Sequence, residues 1–142
     1  MGQRRGGFWV FGRRKRSERH LAAIAETVDA VLEELREDAW TARRFALPGD
    51  SGPAMRVVMS PDGDAVFVVA IAERVTDSVV ARASTVTGTV ATRRRSTAGA
   101  LGVVVTDAAG YEAGVIDGVL LTDARQLAET LRFEAARLGL GM

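Results

Sequence analysis

The sequence predicts one α/β domain, and three observations carry that expectation. An apolar stripe of helical period runs through residues 17–38, two apolar ribbons meet across an Asp-Gly turn near residue 62, and a later buried ribbon leads to a shorter one and a leucine-bearing helix. The 142 residues, 47% of them hydrophobic, suit one compact domain with one real core. The expected architecture is three-layered: an α-β-β-β-α-β core, then a further short strand and a C-terminal helix. Residues 1–16 are read as a flexible arm and 17–142 as the domain.

The opening "MGQRRGGFWVFGRRKRS" mixes glycines, arginines and an aromatic clump with no period of helix or strand. Ser17 stands where an N-cap belongs. From there Leu21, Ile24, Val28, Val31, Leu35 and Ala39 fall at steps of three and four, one face of an amphipathic helix running to about Asp38. Phe45 and Leu47 suggest a short strand before Pro48-Gly49 turns the chain. "AMRVVMS" and "AVFVVAIAE" then form a hairpin whose tip is Asp62-Gly63.

After Thr76, Val79, Ala83, Val86 and Val90 keep helical spacing, although the threonines, valines and Gly88 favour extended chain. A helix capped by Thr76 or Asp77 is expected. "LGVVVTD" reads as a strand buried on both faces, the pattern of a central sheet member. "AAGYEAGVIDG" reads as a loop or short helix and "VLLTD" as another buried strand. Asp123 should cap a last helix whose Leu127, Leu131 and Leu138 face the core before Gly139 ends it.

Composition narrows the chemistry. With no cysteine, disulfide scaffolds, thiolate metal sites and cysteine nucleophiles are excluded together, and the lack suits a cytoplasmic protein. No apolar run approaches the roughly 20 residues of a membrane span. Phe8 to Phe11 is too short for a signal-peptide core of roughly 7–15 residues, and Gly6 replaces the Ser or Thr expected of a myristoylation motif. Neither glycine-rich phosphate motif occurs, so no nucleotide cofactor is expected.

Charge is distributed unevenly. Residues 1–20 carry seven basic side chains (Arg4, Arg5, Arg13, Arg14, Lys15, Arg16, Arg19) against Glu18, a formal +6, while residues 21–142 carry 12 basic and 17 acidic, a formal −5. A basic arm on an acidic body is the asymmetry of proteins that meet nucleic acid or anionic surfaces. Phe8, Trp9 and Phe11 could stack on exposed bases, and Arg93, Arg94 and Arg95 form a second basic cluster. The plainer readings are a solubilising arm and a helix end whose cations complement the helix dipole.

Catalytic candidates are few. His20, the one histidine, falls on an early turn of the first helix with no triad-like company. Asp62 and Asp64 flank Gly63 in a turn, where aspartate serves conformation. Glu73, at the end of the long ribbon, is the one carboxylate placed like a metal ligand; the plainer reading is a charged strand terminus beside Arg74.

Two stretches resemble the restriction-endonuclease-like fold, in its nuclease-related (NERD) and Mrr-type branches. Met55-Arg56-Val57-Val58-Met59-Ser60-Pro61, followed after the turn by Ala65-Val66-Phe67-Val68-Val69-Ala70-Ile71-Ala72, is similar to the family's hairpin. Gly102-Val103-Val104-Val105-Thr106, Tyr111, Val119-Leu120-Leu121-Thr122-Asp123 and Leu127 are similar to its later elements. The resemblance spans residues 18–132 and implies a metal-binding aspartate at Met55, an acid at Ala70 and a lysine at Ala72. Methyl groups hold no Mg²⁺ and position no attacking water. The expectation is therefore a non-catalytic domain, without cofactor, that associates with nucleic acid through its basic residues. One alternative is a Mg²⁺-dependent nuclease using Asp64 and Glu73; the other is a small module that docks on a protein partner.

Overall fold

A computed structural model describes residues 2–45, 55–63, 65–94, 100–106, 114–116 and 118–139, with the backbone alone for 2–17, 93–94 and 139. Its elements run α1 (Gly2–Glu37), β1 (Thr41–Phe45), β2 (Met55–Met59), β3 (Val66–Ile71), α2 (Asp77–Arg94), β4 (Ala100–Thr106), β5 (Gly114–Ile116), β6 (Val119–Asp123) and α3 (Leu127–Gly139). The expected α-β-β-β-α-β order with an added strand and a final helix is what forms.

The six strands make one mixed sheet in the order β1-β2-β3-β4-β6-β5. β1, β2 and β3 form an antiparallel meander, with Arg44 opposite Arg56 and Arg56 opposite Val69. β3, β4 and β6 run parallel, with Val69 opposite Val103 and Val103 opposite Leu120. β5 closes the far edge antiparallel to β6. β3 is buried along its whole length, as its unbroken apolar sequence requires of a strand covered on both faces.

Alternation along the strands sorts the side chains into two cores. Val58, Phe67, Val69, Ile71, Val103, Val105 and Leu120 meet α1 and α3, through Ile24, Val28, Leu32, Leu35, Leu127 and Leu131. Met55, Val57, Val66, Val68, Ala70, Ala72, Val104, Val119 and Leu121 meet α2, through Val80, Ala83, Val86 and Val90. The result is a three-layer α/β/α domain.

The caps of α2 and α3 form as expected. The Val79 amide donates to Thr76 Oγ1 at 3.2 Å, and the Gln126 amide donates to Asp123 Oδ1 at 2.9 Å. At the β2–β3 tip, Ser60 Oγ donates to Asp62 Oδ1 at 2.6 Å and accepts the Ala65 amide at 3.0 Å, while Gly63 takes φ +76°. Asp62 thus serves the turn.

Four expectations need correction. Helix α1 starts at Gly2 and not at Ser17, so a helical backbone covers the stretch read as having no period; no proline precedes Pro48, and arginine propagates a helix well. Ala39 is not on the stripe, because α1 ends in a Schellman motif. Trp40 N donates to Leu35 O at 3.1 Å and Ala39 N to Arg36 O at 3.0 Å, which puts Ala39 at φ 68°. The strand expected at Phe45 and Leu47 is Thr41–Phe45, Leu47 lying outside the described residues. Finally, "AAGYEAGVIDG" contains a strand: β5 pairs Ile116 with Val119, and Gly118 takes φ +80° just before β6.

Candidate functional site

The ribbon that should deliver chemistry delivers packing. Met55 is 2% exposed, Ala70 2% and Ala72 5%, and all three belong to the core beneath α2. A Cβ on Gly102, on the adjacent strand β4, would stand 2.8 Å from Thr87 Oγ1 and 3.7 Å from the Ala83 carbonyl, so α2 rides very close over the sheet. That close approach lies beside Val68, the β3 partner of Gly102, while Ala70 pairs with Val104.

A second locus lies at the carboxyl ends of the parallel strands. There a cleft of about 260 Å³ opens between α1 and the β6–α3 turn. His20, Ile24 and Thr27 of α1 form one wall, Thr106 and Asp123 close the ends of β4 and β6, and Arg125 stands at the rim. Beside it His20 Nδ1 lies 3.3 Å from Glu73 Oε1, each side chain about one-third exposed, and Thr106 Oγ1 donates to the Glu73 carbonyl at 2.9 Å. Asp123 is 9% exposed.

The sequence-derived candidates are therefore divided. Glu73 sits at the exit of β3, where it was expected, but its neighbour is His20, 53 positions earlier, and no local pattern announces that pairing. Asp64 and Arg95 lie outside the described residues. Arg93 and Arg94 occupy the last turn of α2. Arg4, Arg5, Phe8, Trp9, Phe11, Arg13, Arg14, Lys15 and Arg16 all fall on the α1 backbone. Among the described residues no three histidine or acidic side chains gather as a metal would need, and no helix is long and apolar enough to cross a membrane.

By fold the chain is a three-layer mixed α/β domain. It matches no protein-family model, no characterised protein and no solved structure.

Proposed function

We propose that the chain is a non-catalytic domain of restriction-endonuclease-like shape that associates with nucleic acid through the basic first half of α1. The observation that carries this reading is the burial of Met55, Ala70 and Ala72 under α2, at the positions where the resemblance implies an aspartate, an acid and a lysine. The element order and the meander packed against α1 support the shape. Without carboxylates at those positions nothing there stabilises the charge of a phosphodiester transition state or lowers the pKa of a water.

What remains is electrostatic. Helix α1 is 36 residues, about 54 Å, and the seven cations of residues 4–19 lie along its first half. A basic helix of this kind neutralises phosphates and releases counterions, which gives affinity without sequence preference.

The test is fluorescence anisotropy of the full chain with labelled single- and double-stranded DNA at rising salt. Micromolar binding is expected, weakened at least about tenfold when Arg13, Arg14, Lys15 and Arg16 are all changed to alanine, with the log–log salt slope reduced by about 3. Equal affinity for both proteins would refute the assignment. Plasmid incubated with Mg²⁺ should stay intact; cutting that disappears in Glu73→Ala would restore the nuclease reading.

A further inference from the structure

The cleft at the carboxyl ends of β4 and β6 is independent of the basic half of α1 and has its own chemistry. After β3 the chain passes to α2 over one face of the sheet, and after β6 to α3 over the other. The cleft lies outside the carboxyl ends of β4 and β6, the edge of open α/β sheets where small ligands settle, and is walled by α1 and the start of α3 on the face those helices share. Here the crevice is open and measures about 260 Å³. That is room for a molecule of amino-acid size and less than the roughly 300–1,000 Å³ of pockets for larger ligands.

Asp123 is the informative residue. The residue is 9% exposed, and Oδ1 accepts the Gln126 amide as the cap of α3. Capping explains one oxygen, and a neutral serine or asparagine would supply that much. Among the described residues Oδ2 takes no hydrogen bond and no cation pairs with the carboxylate; since no fully buried polar atom lacks a partner, Oδ2 is open to the cleft it lines. Oδ2 is therefore an acceptor facing the cleft and free to take a donor from whatever enters it. Two residues on, at the rim, Arg125 is exposed and makes no ion pair among the described residues. Glu73 does not compete for that guanidinium, because it is held against His20.

We infer that this cleft binds a small zwitterion, with an ammonium group donating to Asp123 Oδ2 and a carboxylate on Arg125. Opposite charges on the wall of one small cleft select a ligand that carries both over a molecule that carries either.

The experiment is a ¹H–¹⁵N NMR titration of the full chain with L-serine, and with ethanolamine and acetate as the two halves of the zwitterion. Serine should shift the Thr27, Thr106, Ala124 and Arg125 amides saturably with a millimolar or tighter Kd, and each half should bind at least about tenfold more weakly. Asp123→Asn keeps the cap and removes the charge, and Arg125→Ala alters only an exposed side chain; each should weaken serine at least about tenfold. No saturable shift with serine, equal affinity in both variants, or ethanolamine binding as tightly as serine would each overturn the proposal. Loss of DNA binding in the quadruple-alanine protein tests the basic helix and leaves this titration unaffected.

Discussion

Arg56 of β2 lies beneath α1 with its guanidinium gripping Asp29: Nε donates to Oδ1 at 3.0 Å and Nη2 to Oδ2 at 3.1 Å. The arginine side chain is 6% exposed and the aspartate 42%, so the pair crosses from core to solvent. It ties the middle of the first helix to the meander on a face otherwise filled by Val58, Phe67 and Val69. Removing one partner leaves the buried cation short of its bidentate acceptor, a heavier penalty than the pair's own net contribution. Asp29→Ala should therefore destabilise the fold by about 2–3 kcal/mol in urea denaturation, at the lower end because Asp29 is half-solvated. Replacing both, with Arg56→Leu and Asp29→Ala, should recover part of that loss. A double variant no better than the single one would show that the guanidinium contributes through its packing.

The C-terminus of α1 offers a stabilising change. Ala39 holds φ 68°, a left-handed conformation in which its Cβ crowds the backbone. It is held there by the two Schellman bonds and by Trp40, buried in the core with Leu35 and stacked on Phe67 at 6.2 Å between ring centroids. Glycine takes the same φ without strain, so Ala39→Gly should stabilise the domain by about 0.5–1 kcal/mol and raise its thermal midpoint. Ala39→Val, with a β-branched side chain, should lower it. A midpoint unmoved by either would mean that the strain is not stored at this residue.

The closeness of α2 to the sheet can be measured through Gly102. An alanine there would place its Cβ 2.8 Å from Thr87 Oγ1 and 3.4 Å from Val119 Cγ2. The hydroxyl is itself engaged, donating to the Ala83 carbonyl at 2.6 Å, so it yields only by giving up that bond. Gly102→Ala should cost about 1–3 kcal/mol, and adding Thr87→Ala should return most of it. Additive losses in the double-mutant cycle would place the collision elsewhere.

What was legible from the residues follows the physics of burial. β3 and β4 were readable because strands covered on both faces carry unbroken apolar sequence, and the β2–β3 hairpin because Asp62-Gly63 stands between two such ribbons. The same dipeptide at Asp117-Gly118 marks the β5–β6 hairpin, but the preceding strand is three residues long, all of them exposed, so it left no apolar ribbon to notice. Ala39 fitted the stripe by spacing alone; periodicity does not register that a Schellman turn has already stopped the helix. The pairing of His20 with Glu73 and the open oxygen of Asp123 depend on α1 lying beside the strand ends. Contacts between residues 53 positions apart have no counterpart in local pattern.

Ala70 lies where the proposed function is most exposed to test. If the positions under α2 are pure core, restoring an acid there must injure the fold. Ala70→Asp places a carboxylate where the native side chain is 2% exposed, among Met55, Val57, Val68, Val104 and Leu121. An uncompensated charge in such surroundings either desolvates or drives the surrounding structure apart. The variant should lose more than about 3 kcal/mol in urea denaturation, and millimolar Mg²⁺ or Mn²⁺ should restore none of it. Metal bound preferentially by the folded state would raise stability as RT ln(1 + [L]/Kd), so a midpoint that climbs with Mg²⁺ would reveal a latent metal site under α2. Adding Ala72→Lys should deepen the loss, since it brings a second charge into the same buried core. Recovery on adding the lysine would mean that the two positions, side by side on one face of the sheet, support an acid–lysine pair, and would count against the proposed non-catalytic role.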